Sequence, residues 1–237
     1  MIHYSESTVF NVNAQSLVNT VNTTGTMGAG IALEFALRYP AMFEDYRKKC
    51  EGKIITTGKV DYYHEPYGTI IINFPTKQYY AYPSKLIWIQ QGLENFVATY
   101  QDAGVTSAAF PKLGCSNGKL SWDKVKPLMV KYLEPLDIDI YICSASKSEP
   151  EGIEKIMVDA YNSFVSGQND IEIKLSEKQL EAIMDRGSVK HFYEIREIPG
   201  IKGAPYKRIF NIFYSKASTA SAFGQADSNQ YDFFSMM

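Results

Sequence analysis

The sequence predicts an α/β layer fold, and two observations carry that expectation. Short β-branched runs alternate with longer segments of helical period. One run, TIIINF at residues 69–74, is apolar on both faces, as a strand covered by helices on either side must be. The 237 residues suit one sizeable domain, or one domain with a small appendage. A chain of that length buries most of its unfolded surface and needs no covalent staple.

The elements follow in order. Residues 16–21 (SLVNTV) read as a strand. After a glycine-rich turn, Ile31, Ala32, Phe35, Ala36 and Tyr39 recur with helical period until Pro40 interrupts them. Strands are expected at 58–63 and 69–74. A helix then starts at Pro83-Ser84, with Leu86, Ile89, Leu93, Phe96 and Val97 on one face, and ends near Gly104. Residues 106–110 form the next strand, followed by the loop PKLGCSNGK. Ser121 is placed to cap a helix carrying Trp122, Val125 and Met129. Residues 138–143 (IDIYIC) read as a last buried strand, and 151–164 as a helix, so the α/β unit is expected to span 1–165.

Residues 166–237 have a different texture and are expected to form a small helical extension with a polar tail. Ser166-Gly167-Gln168-Asn169-Asp170 is a polar hinge. Residues 176–184 resemble a helix capped by Ser176, with Gln179 completing a capping box. Pro199-Gly200 and Gly203-Ala204-Pro205 make 195–214 look irregular up to the aromatic run YKRIFNIFY. The aromatics at 210–214 are expected to fill a small core. The stretch from Lys216, ending YDFFSMM, reads as a mobile tail or as a segment that docks residues 231–234 on a partner.

Composition narrows the function. The chain carries 24 basic and 26 acidic side chains, a formal charge of −2. That balance draws neither nucleic acid nor an anionic membrane by long-range field, although a local basic patch remains open. Cys50, Cys115 and Cys143 are odd in number and lack C-x-x-C spacing, so neither a disulfide framework nor a zinc site is indicated. His3, His64 and His191 are scattered, and no metal is expected. The first residues, MIHYSESTVF, lack the pattern of a signal peptide, and no apolar window is long enough to span a bilayer. A cytoplasmic location with no membrane partner is the expectation.

Two loops join a strand to a helix and carry small residues. The first is NTTGTMGAG at 22–30, where glycines permit positive φ and close approach to a ligand. The helix after it offers unpaired N–H groups and the positive end of its dipole, a seat for phosphate. The second is KLGCSNGK at 112–119. Loops at the carboxyl ends of strands in an open α/β sheet share one crevice, so the two could grip a diphosphate from opposite sides. Glycines in short loops are more often turn punctuation. A dinucleotide fingerprint fails because Leu33 stands where its third glycine belongs, and no G-x-x-x-x-G-K-[ST] is present. The loops alone imply only a phosphate-containing ligand.

The run LVNTVNTTGTMGAGIALEF resembles the first ligand loop of macrodomains, in particular those of the DarG type. NFPTK at 73–77, PSKLIWIQQGL at 83–93 and FPKLGCSNGKLSW at 110–122 match in the same order, so the resemblance covers roughly residues 1–150. It implies a three-layer α/β/α sandwich with a mixed central sheet. It further implies binding of ADP-ribose and hydrolysis of the bond joining ADP-ribose to thymidine bases in DNA, with no cofactor. Antitoxin action against a DarT-type toxin would make such a toxin a partner. By position, Asn22 is implied to contact the distal ribose, where the bond to be broken sits, and so to share in catalysis with Lys77. Thr26, Met27, Gly28, Ala29, Gly30 and Ile31 are implied to line the first loop's side of the site. Thr76 and Pro111 would flank it, while Leu113, Gly114, Cys115, Ser116, Asn117 and Gly118 form the second loop.

Lys77 is the residue implied in chemistry. An ammonium there could stabilise charge or protonate a leaving group, and a neutral amine could attack the anomeric carbon or its open-chain aldehyde. A solvated strand-end lysine is the ordinary alternative. Two departures from the family pattern stand out. Ser7-Thr8 occupies the place where many macrodomains carry a Gly-Asp that anchors adenine, leaving Glu6 or a backbone group to substitute. Gly118 stands where related terminal ADP-ribose glycohydrolases carry a catalytic aspartate, as in the DarG pattern. A binding module that recognises ADP-ribose or a related NAD metabolite without turnover is therefore the second reading.

Overall fold

The computed structural model of the chain describes residues 1–169 and 171–234, with side chains described through residue 221. Two compact units divide at Ser146 and Lys147. In the first, the strands are β1 (Ile2–Ser5), β2 (Ser16–Val21), β3 (Asp61–His64), β4 (Ile70–Pro75), β5 (Ser107–Pro111) and β6 (Asp139–Cys143). Its helices are α1 (Gly30–Arg38), α2 (Pro40–Glu51), α3 (Leu86–Thr99) and α4 (Trp122–Leu133). The second unit holds α5 (Gly152–Val165), α6 (Glu177–Arg186) and α7 (Ala204–Phe234). None of the described helices is long and apolar enough to cross a membrane.

The sheet runs β1-β6-β5-β2-β4-β3. All pairs are parallel except β3 with β4, so the sheet is mixed. Strand periodicity sorts its side chains into two cores. Val18, Ile70, Ile72, Phe74, Ala108 and Phe110 face α3 and α4, where Ile89, Leu93, Phe96, Val125 and Met129 meet them. Leu17, Val21, Ile71 and Ala109 face α1 and α2, packed on Phe35, Met42 and Tyr46. The result is a three-layer sandwich. The fully buried β4 starts one residue into the TIIINF run and ends one residue past it, and its apolar character on both faces is explained by helices on both sides.

A polar chain crosses the buried sheet. Asn19 and Asn73 lie opposite one another on β2 and β4, and Asn73 is opposite Asp61 on β3. Asn19 Nδ2 donates to Asn73 Oδ1 at 3.1 Å, and Asn73 Nδ2 to Asp61 Oδ2 at 3.2 Å. Lys49 of α2 then bridges Asp61 and Asp45, at 2.7 Å to each.

The structure differs from the sequence reading in several places. The helical pattern does break at Pro40, but a second helix starts there, because proline is tolerated in a first turn where its missing N–H would be unpaired anyway. The α/β unit closes near Ser146, not near residue 165, because α5 packs on α7 in the second unit. Residues 204–214 are helical rather than irregular: the Gly203-Pro205 punctuation marks the start of α7, whose backbone continues past Lys216 as far as Phe234. The side chains of residues 231–234 lie outside the described residues. The capping box at Ser176 and Gln179 is present. Phe210 and Phe213 are buried, and the Phe213 ring sits 5.8 Å from those of Tyr161 and Phe192, the small core expected there.

Helix α3 approaches β4 closely at Gly92, where a Cβ would lie 2.3 Å from the Phe74 ring. Gly92→Ala should therefore destabilise the first unit by about 1–3 kcal/mol through overpacking, measured as a lowered midpoint of chemical unfolding.

Candidate functional site

Helix α1 follows β2 onto one face of the sheet, while α4 follows the neighbouring β5 onto the other. A crevice opens where adjacent strands send their helices to opposite faces. It forms a cleft of about 990 Å³. The carboxyl ends of β6, β5, β2 and β4 contribute Cys143, Pro111, Val21 and, just past β4, Thr76 to its wall. Three interstrand spacings make this about 14 Å long.

The first loop is held by its own asparagine. Asn22 is 6% exposed, and its Oδ1 accepts from Thr24 N at 2.9 Å and Thr24 Oγ1 at 2.7 Å. Its Nδ2 donates to Thr26 O at 2.6 Å. The buried Tyr46 hydroxyl donates to Asn22 O at 2.6 Å, and burial pushes that phenol far above its ordinary pKa, so it stays a donor. Gly30 begins α1 at φ +57°, and a Cβ there would stand 2.8 Å from Asn117 Nδ2 of the second loop. The two glycine loops thus touch. Among the described residues no side chain caps α1, and no acidic residue lies in its first turn, while Gly30, Ile31 and Ala32 line the cleft. That leaves the helix dipole available to an anion.

The second loop is packed without spare room. A Cβ on Gly118 would lie 2.3 Å from both Gly114 O and Ser84 Oγ, so no side chain of any kind fits at this position. Gly118 O accepts from Ser84 N at 2.9 Å, and Gly114 O from Leu120 N at 3.0 Å. Cys115 lines the cleft half-buried, and burial raises its thiol pKa, which keeps it protonated and a poor nucleophile.

Lys77 stands between the loops, 7% exposed. Its Nζ donates to Asn117 O at 2.8 Å and to Tyr80 O at 3.3 Å. Among the described residues no carboxylate pairs with it. Burial holds its pKa below the ordinary lysine value, with the nearby Lys119 charge acting in the same direction. Among the described residues the cleft wall contains Lys77 and Lys112 and no aspartate or glutamate. A chain of near-zero net charge therefore presents a locally cationic cleft, suited to an anionic ligand.

Most residues singled out from the sequence come together here: Asn22, Thr26, Gly28, Ala29, Gly30, Ile31, Thr76, Lys77, Pro111, Gly114, Cys115, Ser116, Asn117 and Gly118 all line the cleft. Met27 and Leu113 do not. Both side chains turn into the cores on either side of the sheet, because flanking loop residues already face the cleft and these two are apolar. Glu6 is exposed and away from the wall; its carbonyl accepts from Ser146 N, and Ser7 O from Ala145 N. That tie holds Ser144 and Ala145 past the end of β6, where both line the cleft, as Trp122 does. Tyr80, Lys112, Trp122 and Ser144 were not expected in the wall, although Lys112 and Trp122 flank the second loop in sequence and Tyr80 follows Lys77 closely.

Comparison with known proteins agrees with this architecture. The Macro domain family model matches residues 18–129. A DNA ADP-ribosyl glycohydrolase of Mycobacterium tuberculosis is 40% identical over 160 residues, which are 65% of this chain and 46% of that protein. A DNA ADP-ribosyl glycohydrolase of Thermus aquaticus is 34% identical over 146 residues, 60% of this chain and 41% of that protein. The solved macrodomain of Mycobacterium tuberculosis DarG superposes with a TM-score of 0.59 at 39% identity, covering 61% of this chain and 97% of that one. The chain belongs to the macrodomain family, closely related to DNA ADP-ribosyl glycohydrolases of the DarG type. It spans less than half the length of these two curated relatives.

The environment of Lys77 makes a direct prediction. In competitive amine labelling across pH, followed by mass spectrometry, Lys77 should show a labelling midpoint below that of exposed lysines, since a lowered pKa frees the amine at lower pH.

Proposed function

We propose that this protein is an ADP-ribosyl glycohydrolase that removes ADP-ribose from thymidine bases in DNA. The observation that carries the reading is Lys77: a buried amine with a lowered pKa and no carboxylate partner among the described residues, set in the wall of a cationic cleft between two glycine loops. Kinship supports the choice of substrate, since the relatives of 40% and 34% identity are DNA ADP-ribosyl glycohydrolases. So does a solved Thermosipho africanus DarTG in complex with ADP-ribose, 31% identical with a TM-score of 0.58. A curated Thermosipho relative joins a DNA ADP-ribosyl transferase to its glycohydrolase, which supports a DarT-type transferase as the partner whose product this site consumes.

In this reading the diphosphate lies against the N-terminus of α1 and the second loop, with the distal ribose toward Lys77. Hydrolysis breaks the bond from the anomeric carbon to the thymine nitrogen. The bond's electron pair leaves with the base, which takes up a proton, and water supplies the new hydroxyl. Two carbonyls already accept from Nζ, so an ammonium keeps a third N–H for the departing base. A neutral amine satisfies the same carbonyls and keeps its lone pair for the anomeric carbon; its attack expels the base with the bond's electron pair and leaves a glycosylamine, which water then cleaves to free ADP-ribose and the lysine. Reduction with cyanoborohydride during turnover tests the amine route: once the glycosylamine opens to its imine, hydride traps it, and an ADP-ribosyl mass on Lys77 identifies attack by the amine.

Lys77→Ala should lower ADP-ribose release from a thymidine-ADP-ribosylated oligonucleotide on the order of 10²-fold or more, while calorimetry shows ADP-ribose binding retained. Gly30→Ala should do the reverse and weaken ADP-ribose binding by roughly tenfold, because φ +57° strains an L residue and its Cβ would push Asn117 away. A second reading, recognition without turnover, draws on the cleft's lack of carboxylates and on Asn22, whose carboxamide is spent on its own loop. Binding of ADP-ribose without release from DNA-, aspartate-, glutamate- or serine-linked substrates would establish that reading instead.

A further inference from the structure

The segment between Lys77 and α3 exposes three tyrosines within four residues. Tyr79, Tyr80 and Tyr82 are 38%, 51% and 65% exposed, whereas most of the described aromatic side chains are buried or partly buried. Their rings gather on one another: Tyr79 lies 4.4 Å from Tyr80 and 5.2 Å from Tyr82, centroid to centroid. Such a cluster exposes ring faces whose apolar area gains nothing in water.

The cluster is fixed in position relative to the chemistry. Tyr82 N donates to Tyr79 O at 3.1 Å, closing a turn. Thr23 N and Thr23 Oγ1 both donate to Gln78 O at 3.0 Å, which ties the turn to the first glycine loop. Lys77 Nζ donates to Tyr80 O, and Tyr80 itself reaches the cleft wall. Tyr80 therefore stands in the cleft wall beside the amine, and the Tyr79 and Tyr82 rings extend the cluster outward from it, on the side where the proposed reading sends the group attached to the distal ribose. No aspartate or glutamate occurs between Glu65 and Glu94, while Lys85 lies just beyond the turn, 4.9 Å from the Trp88 ring. Aromatic faces together with cations and no anions form the chemistry that holds a single nucleic-acid strand: bases stack and phosphates pair. A duplex keeps its base faces internal and offers such rings little.

We propose that Tyr79, Tyr80 and Tyr82 form a stacking ledge for the single-stranded nucleic acid that carries the ADP-ribosyl group, gripping bases next to the modified one. This rests on the glycohydrolase reading for the substrate's identity, and it adds a surface that discriminates a strand from a free nucleoside. The ledge acts on binding of the strand, outside the bond-breaking step.

The test compares the wild-type chain with the double variant Tyr79→Ala/Tyr82→Ala, two exposed positions that leave Tyr80 and Lys77 in place. Release of ADP-ribose is followed from an ADP-ribosylated single-stranded oligonucleotide and from ADP-ribosylated thymidine alone. Binding of unmodified oligothymidylate is followed by fluorescence anisotropy. The ledge predicts a KM on the oligonucleotide raised about tenfold, unchanged kinetics on the nucleoside, and anisotropy affinity weakened by a similar factor. Equal losses on both substrates, no change on the oligonucleotide, or wild-type affinity for duplex equal to that for single strand would overturn it. If the wild-type chain hydrolyses neither substrate, the glycohydrolase reading fails, and the anisotropy comparison alone still decides the ledge.

Discussion

The site depends on one constraint: β2 and β5 are hydrogen-bonded neighbours whose following helices leave toward opposite faces of the sheet. Parallel strands require crossovers, and neighbouring crossovers on opposite faces cannot cover the gap between them. The chain fills that gap with backbone instead of side chains. Gly30 and Gly118 are the positions where this is most stringent, one because it meets Asn117 and the other because it meets Gly114 and Ser84. The resulting wall is rich in peptide groups and poor in negative charge, and Lys77 is its cationic centre.

An amine so deeply placed, with two carbonyls and no counter-charge among the described residues, gains little from its surroundings as an ammonium. Its presence is better understood through what enters the cleft. An arriving diphosphate supplies the missing negative charge, so the same burial that disfavours the ammonium in the empty cleft strengthens its interaction with a bound anion.

Much of this was legible in the amino acids. β4 announced itself because a run buried on both faces needs no periodicity to be recognised, and the four ordered motifs placed both glycine loops. β1 gave no such signal: it is a four-residue edge strand, half-exposed along most of its length. α2 was hidden behind Pro40, which ends one helix and begins the next. α7 was obscured by glycine and proline that mark its start rather than its absence. Within the site, motif position located the loops but not the direction of each side chain. Met27 and Leu113 therefore seemed to face a ligand when they fill the two cores, and Tyr80 and Ser144 entered the wall through contacts that only the folded chain creates.

The Asn19–Asn73–Asp61 chain has a bearing on how the sheet assembles. Strands of isoleucine and valine pair almost equally well when shifted, and nothing in their apolar surfaces distinguishes the correct alignment. Amides in the middle of β2 and β4 remove that degeneracy, since a displacement by one residue would part Asn19 from Asn73 and break the buried bond between them. The position of Lys77 along the cleft is thus secured two turns of the pleat away, by groups that never meet a ligand.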